Sequence, residues 1–270
     1  MKCYANQRKL GSQPEGGPTM RVWSFRFCAA VTILSSSLAA LAAEIKIISS
    51  VGMRAVLEEL QPQFERTTQH KLIITFGTAA PLKRQVDEGA AFDVTILTPP
   101  MLEDLAKSGK VETGSVVSVA KTGIGLAARK DAAPLDIASA EGLKRALLAA
   151  KSVAHSREGQ SGVAAVKIME RLGIAEEMKP RIVIETRPGG SVTAVVEGKA
   201  ELGFALVSEI VPVPEVKLVG PVPGDLQSYT VFAAGVSSNS KDAPAARSFV
   251  EFLRGAGARS TLSAKGMEGM

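Results

Sequence analysis

The stretch EIKIISSVGMRAVLEEL, Glu44–Leu60, joins an apolar run to a helical pattern through small polar residues. Ile45–Ile48 predicts a buried strand, and the apolar residues from Met53 to Leu60 recur at the spacing of an amphipathic helix. The same order of strand, small polar residues and helix recurs after Leu72–Phe76, Val153–Ala154 and Ile182–Ile184. Strands that alternate with helices in this way predict an α/β fold with mostly parallel strands.

The small polar residues at these four joints are candidates for binding an anion. Backbone N–H groups at helix starts attract anions, and open parallel sheets bind ligands at the carboxyl ends of their strands. The same residue types are also ordinary caps and turn residues, so the four joints leave both interpretations open. The candidate hydroxyls are those of Ser49, Ser50, Thr78, Ser156, Ser161 and Ser191.

Two arginines follow the third and fourth joints and could neutralise a bound anion. Arg157 comes shortly after the third predicted strand, and Arg187 shortly after the fourth. A guanidinium group matches a carboxylate with two parallel hydrogen bonds, which would suit an organic anion. The alternative for each is a solvated charge on a loop, since arginine is mostly exposed.

The N-terminus predicts export. Arg21 and Arg26 precede an apolar stretch that ends in Ala40-Leu41-Ala42, the pattern of a cleavable signal peptide. The apolar stretch is shorter than the ~20 residues that a membrane-spanning helix needs. We therefore expect residues 1–42 to be a leader, with the true start at Met20, and the mature protein to be periplasmic.

Removal of this leader changes the composition. Most of the formal charge of +5 lies in it, and so do both cysteines, Cys3 and Cys28. The mature chain then has no basic run that would predict nucleic-acid binding, and no thiolate for a metal site or nucleophile. Its histidines, His70 and His155, are far apart, so we predict no metal ion.

Motifs of enzymes and cofactor sites are scarce. The glycines of Gly123-Ile124-Gly125 lie inside a predicted strand instead of after it, and no phosphate-binding loop of the GxxxxGK type occurs. We therefore predict no cofactor. His155, at the expected end of a strand, and Glu158 beside it could act as an acid or base, although an ordinary loop position explains them equally well.

Longer segments of the chain resemble the periplasmic molybdate-binding proteins of ABC importers. The resemblance rests on several segments in order: Glu44–Leu60, Phe76-Gly77 leading into Leu82–Val86, Asp93-Val94, Gly109–Val111, Leu172–Ile174, Lys179-Pro180, Val196–Phe204, Tyr229–Val236, Ala243–Arg247 and Phe249–Leu253. It covers essentially the whole mature chain.

This resemblance implies a type II periplasmic binding fold, in which two α/β lobes close on a ligand in the cleft between them. By analogy, residues 43–121 and 228–270 form lobe 1, and residues 122–227 form lobe 2. The crossovers would lie near Val119–Leu126 and Ser228–Val231. Closure of such lobes follows the preference of the ligand for the closed form.

The resemblance also bears on the ligand. The family holds a tetrahedral oxyanion through serine hydroxyls and helix-start amides, but its serine after the first strand corresponds to Gly52 here. Its paired serines after the second strand correspond to Thr78 and Ala79, so one hydroxyl is lost. A molybdate-like oxyanion and a small carboxylate are therefore both expected ligands.

Two functions follow. The first is a monomeric solute-binding protein without catalysis, which captures a small anion and delivers it to an ABC permease in the inner membrane. The second is a periplasmic isomerase of a small tricarboxylate, because aconitate isomerases resemble molybdate-binding proteins in sequence. His155 or Glu158 would then be the base.

Overall fold

A computed structural model describes residues 42–270. The predicted start at Met20 and the signal peptide fall on residues 1–41, outside the described residues. Within the described part, no helix is both long and apolar enough to cross a membrane.

Strands and helices alternate along most of the described chain. The strands are β1 Glu44–Ser50, β2 Lys71–Gly77, β3 Val94–Leu97, β4 Val117–Arg129, β5 Val153–Ser156, β6 Ile182–Glu185, β7 Leu202–Leu206, β8 Val216–Pro221, β9 Tyr229–Val236 and β10 Glu268–Gly269. The helices are α1 Arg54–Thr68, α2 Ala79–Asp87, α3 Pro99–Lys107, α4 Ala140–Ala149, α5 Gln160–Arg171, α6 Ala175–Met178, α7 Gly190–Val196, α8 Val207–Ile210, α9 Ala243–Arg254 and α10 Ala256–Ala264. Short 3₁₀ turns cover Val51–Met53, Lys179–Arg181 and Gly224–Leu226.

The strands pair in the order β2-β1-β3-β9-β4-β7-β5-β6, with β8 and β10 both paired to β4. Pairing is parallel among β2, β1 and β3, and again among β6, β5 and β7. The strands β4 and β9 pair antiparallel with their neighbours between these two groups. The predicted α/β class is confirmed, but the sheet is mixed and not mostly parallel, because four of its strand pairings are parallel and five are antiparallel.

One long strand connects the two parallel groups. β4 pairs with β9 from Val117 to Gly123, and with β7 from Ile124 onward. The apolar pattern of the sequence predicts two strands here, Val116–Val119 and Ile124–Ala128, but the structure has the single strand β4. The strand continues because Lys121, Thr122 and Gly123 keep partners on β9 although they interrupt the apolar pattern. The lobe boundaries at residues 121 and 228 stay a prediction.

Helix α1 packs on helix α9 through an aromatic cluster. The ring of Phe64 lies 5.2 Å from that of Phe249 and 5.3 Å from that of Phe252, which joins α1 to α9. Phe64 and Phe249 are almost completely buried. Such aromatic pairs add to the free energy gained by burying their apolar surface.

Next to this cluster, a carboxylate fastens α1 to β2. Oε1 of Glu65 accepts hydrogen bonds from the Leu72 backbone N–H at 3.0 Å and from Gln61 at 2.9 Å, and Lys71 contacts Oε2 at 2.9 Å. These bonds, above all that from Leu72, lower the pKa of Glu65 to about 2.

We expect Glu65→Gln to lower the free energy of unfolding at pH 7 by about 1–3 kcal/mol, because the bonds to a charged acceptor are lost. The pKa of Glu65 lies below its value in the unfolded chain, so this stabilisation is present at neutral pH. It is lost as the pH falls from about 4.5 toward 2. Denaturant unfolding at pH 7 and pH 3 measures the effect, with Glu58→Gln on the exposed face of α1 as control. Equal stability of the two variants at pH 7 would contradict this role.

Candidate functional site

A narrow cavity lies at the carboxyl ends of strands from both parallel groups. Its volume is about 30 Å³, counted as the space that the centre of a water molecule can reach. One buried water needs roughly 10–15 Å³ measured this way, so the cavity accommodates a compact group of few atoms. Its lining residues are Ser50, Val51, Thr78, Ala79, Thr98, Ser156, Gly159, Gln160, Ser161, Gly189, Gly190, Ser191, Leu206, Glu209, Thr230 and Phe232.

Four helices begin at this cavity without a side-chain cap. They are α2 after Thr78, α3 after Thr98, α5 after Gly159 and α7 after Gly189, and none of these four residues caps its helix with a side-chain hydrogen bond. By contrast, Ser139 caps α4 and Asp242 caps α9, both away from the cavity. The first N–H groups of a helix have no partner within it, so donors at the cavity are left for another acceptor.

Five buried residues at the cavity carry hydroxyls that make no hydrogen bond among the described residues. They are Ser50, Thr78, Ser161, Ser191 and Thr230, whose exposed fractions lie between 4% and 9%. Buried polar side chains are nearly always hydrogen-bonded in native proteins. A ligand with several acceptor oxygens would supply the missing partners.

Most of the predicted hydroxyls are therefore brought together. Ser50, Thr78, Ser156, Ser161 and Ser191 all line the cavity, although Ser156 also accepts a hydrogen bond from the Gly159 N–H at 2.9 Å. Ser49 does not line it. Successive side chains of a strand point to opposite faces, so Ser49 is turned away from Ser50 and donates to its carbonyl oxygen at 3.2 Å.

The two predicted arginines do not line the cavity. Arg157 is exposed to solvent. The Arg187 side chain is half exposed and pairs with Glu185 at 3.4 Å and Glu197 at 3.6 Å. Its charge is therefore already balanced by carboxylates of this chain, and the prediction that either arginine neutralises a ligand in this cavity finds no support in the geometry.

The residues suggested for acid–base chemistry also lie outside the cavity lining. His155 is buried, with Nδ1 3.0 Å from the carbonyl oxygen of Ser156, and the strand alternation turns it away from Ser156. Glu158 is exposed and pairs with Arg84 at 3.1 Å. That ion pair joins α2 to the loop before α5, but exposed pairs contribute little stability.

The sequence interpretation missed several lining residues, among them Thr98, Glu209, Thr230 and Phe232. Thr98 follows the buried strand β3 and precedes α3, so it obeys the same rule as Thr78 and could have been found. Pro99 and Pro100 mark that helix start, since proline is favoured in the first turn of a helix. Thr230 and Phe232 belong to β9, whose place between β3 and β4 no local pattern reveals.

Crowding around Gly52 explains why no hydroxyl residue occupies this position after the first strand. A Cβ atom at this position would lie 2.7 Å from both Leu206 Cδ1 and Phe232 Cζ. Real Cβ contacts are not this short, so a serine would require both side chains to move. The large apolar groups of Leu206 and Phe232 thus replace a hydroxyl at this wall of the cavity.

Among the described residues that line the cavity, Glu209 is the one with an acidic or basic side chain. The residue is partly buried, and Oε2 accepts a hydrogen bond from the Leu206 N–H at 3.4 Å. Burial raises the pKa of its carboxyl to about 7, because loss of water disfavours the charged form. Elsewhere among the described residues, no group of three or more side chains of the metal-binding types is assembled to hold a metal ion.

Comparison with known proteins assigns this architecture to a family. Residues 45–268 match the sequence model of bacterial extracellular solute-binding proteins. The chain is 31% identical to the molybdate-binding protein of Azotobacter vinelandii, over 90% of this chain and 98% of that protein. It is 28% identical to an aconitate isomerase of a Pseudomonas species, over 83% and 87% respectively. The solved periplasmic molybdate-binding protein of Azotobacter vinelandii superposes with a TM-score of 0.71 at 22% identity, covering 83% of this chain and 98% of that one.

Proposed function

The chain belongs to the family of bacterial extracellular solute-binding proteins, and on that premise we propose that it captures a small anion in the cavity and delivers it to an ABC permease. The observation that carries the proposal is the set of five buried residues whose hydroxyls make no hydrogen bond among the described residues, next to four uncapped helix starts. Together they offer hydrogen-bond donors from several directions to one compact acceptor. No cationic side chain lines the cavity within the described part of the chain, so these neutral donors hold the anion.

The mode of closure follows from the strand pairing. We place the hinge where β4 changes partner from β9 to β7, between Gly123 and Ile124. The walls of the cavity come from both sides of this point. Ser50 ends β1 and Thr78 follows β2 in one parallel group, whereas Ser161 and Ser191 follow β5 and β6 of the other. An anion that binds both walls favours the closed form by its difference in affinity for the two forms.

The ligand class is limited by size. The room in the cavity suits a tetrahedral oxyanion or the carboxylate of a small acid better than a tricarboxylate. A thermal-shift panel with molybdate, tungstate, sulfate, phosphate, citrate and aconitate tests this on the chain from Ala43. A ligand at one hundred times its Kd should stabilise the protein by about 2.7 kcal/mol, a shift of several degrees. Absence of a shift with every anion would contradict the proposal.

We expect Thr78→Ala and Ser191→Ala each to weaken anion binding by about 1–2 kcal/mol, the cost of losing one hydrogen bond to a charged acceptor. Calorimetric titration with the anion found in the panel measures the change. Thr67→Ala on α1, whose hydroxyl bonds only the helix carbonyl of Gln63, is the matched control and should bind normally. Unchanged affinity of either cavity variant would remove that residue from the site.

A second candidate is isomerisation of a small tricarboxylate, which the similarity to an aconitate isomerase and the presence of a carboxyl group in the cavity favour. Glu209, in place of His155 or Glu158, would then remove a proton from one carbon of the substrate and return it to another. NMR of cis- or trans-aconitate incubated with the protein tests this. Interconversion that is lost in Glu209→Gln would establish catalysis, and an unchanged spectrum would leave binding as the function.

A further inference from the structure

Glu209 is an unexpected residue for a site that binds an anion. It begins the C-terminal half of the short helix α8, directly after β7, and its carboxyl turns back to the Leu206 N–H at the end of that strand. This places an acidic group in the same lining as the hydroxyls of Thr78, Ser161 and Ser191. An ionised carboxylate here would repel a bound anion across a narrow, poorly hydrated space.

The charged groups around Glu209 do not neutralise it. Glu209 also lines a wider outer groove of about 470 Å³, together with Arg54 and Glu58 of α1 and Glu215 ahead of β8. The Arg54 guanidinium lies over the Phe76 ring, 4.8 Å from its centroid, and no ion pair to Glu209 occurs among the described residues.

The remaining elements packed against α8 offer no partner either. On β4, Arg129 pairs with Asp131, and on β8, Lys217 donates to the carbonyl oxygen of Ala132. The strand β7 and the turn Val51–Met53 carry no charged residue. A carboxyl without a cation and with little water favours its neutral, hydrogen-bond-donating form, in line with the raised pKa of Glu209.

We propose that one proton lies between Glu209 and the bound anion, so that binding at the cavity is coupled to that proton. The inference rests on the proposed anion site and deepens it. At pH values where Glu209 is neutral, the carboxyl donates a hydrogen bond to the ligand. At higher pH the site selects an oxyanion that brings its own proton, such as hydrogen phosphate, over one that is fully ionised, such as sulfate or molybdate.

The test is calorimetric titration of the protein with sulfate, molybdate and inorganic phosphate between pH 5.5 and 8.5. For sulfate and molybdate we expect the affinity of the unmodified protein to be nearly constant at low pH and to fall toward tenfold per pH unit above about 7. For phosphate, which still carries a proton at pH 8, the fall should be clearly smaller. Measurement in two buffers of different ionisation enthalpy counts the protons taken up.

Two variants separate the possible results. Glu209→Gln keeps a donor but cannot ionise, so its sulfate affinity should be independent of pH and should exceed that of the unmodified protein at pH 8.5. Glu215→Gln, which alters only the outer groove, should retain the original slope.

Each outcome has a defined meaning. A sulfate affinity that does not change with pH, or a slope that persists in Glu209→Gln, would overturn the proton coupling while leaving the anion site intact. Binding of none of the three anions at any pH, by the unmodified protein or by Glu209→Gln, would overturn the inference together with the proposed oxyanion ligand.

Discussion

Gly162→Ala is expected to destabilise the protein by about 3 kcal/mol and to weaken anion binding more than tenfold. A Cβ atom at Gly162 would lie 1.7 Å from the carbonyl oxygen of Ser156 and 2.7 Å from its carbon. Both contacts are with backbone, which cannot rotate away as a side chain would. The end of β5 and the start of α5 would have to separate, at a cost toward the upper end of that for overpacked sites.

The effect on binding follows from the same displacement. Ser156 and Ser161 stand on the two segments that would move apart, and both line the cavity. Hydrogen-bond donors that are displaced by about 1 Å lose much of their interaction with a rigid ligand. Thermal unfolding and calorimetric titration measure the two losses separately.

Gly257→Ala is the matched control, because Gly257 lies within α10 and a Cβ atom there would meet nothing within 4 Å. Alanine is a better helix former than glycine, so this variant should be more stable by up to about 1 kcal/mol. A Gly162→Ala protein as stable as the unmodified one would show that the close approach of β5 and α5 is not required.

Ser191→Asp is expected to reduce anion affinity by more than 100-fold while the protein remains folded. The Ser191 side chain is buried at the start of α7 and faces the cavity. A carboxylate at this position would occupy part of the room for the ligand and repel it, and such juxtaposition of like charges costs several kcal/mol. The fold should tolerate the substitution, because the nearby unpaired N–H and O–H groups can donate hydrogen bonds to a carboxylate of the chain as they would to a ligand.

Ser191→Asn tests whether charge or size is responsible. Asparagine has nearly the same shape as aspartate but no charge, so the anion affinity of Ser191→Asn should fall far less than that of Ser191→Asp. Titration with sulfate or molybdate at pH 6, where Glu209 is mostly neutral, isolates the new charge from the existing one. If Ser191→Asp bound these anions as well as Ser191→Asn does, the cavity would not be the anion site.

The sequence allowed much of the site to be predicted, because it is built at joints with a local signature. An apolar strand, a small hydroxyl residue and a helix define Thr78, Ser161 and Ser191 without knowledge of the tertiary structure. The choice between Ser49 and Ser50 needed the direction of alternation along β1, which depends on which face the chain buries.

The rest of the site depended on tertiary contacts. Arg157 and Arg187 had the right charge and the right distance from their strands, yet Arg187 finds partners in Glu185 and Glu197. Glu209 resembles an ordinary acidic residue in the first turn of a helix, where acidic residues are common. Its position at the cavity is set by the packing of α8 against β4 and β8, which no local pattern encodes.

The place of β9 in the sheet has a consequence for how the chain acquires its fold. Residues 229–236 lie between β3 and β4, although both of those strands are made much earlier in synthesis. Until this late segment is present, β3 and β4 each have an edge without its native partner, and such edges invite pairing with other chains. We therefore expect folding to wait for nearly the complete polypeptide and to be slow, as contacts between distant segments require. A nascent chain that stops before Tyr229 would keep β3 and β4 without their partner and would be prone to aggregation.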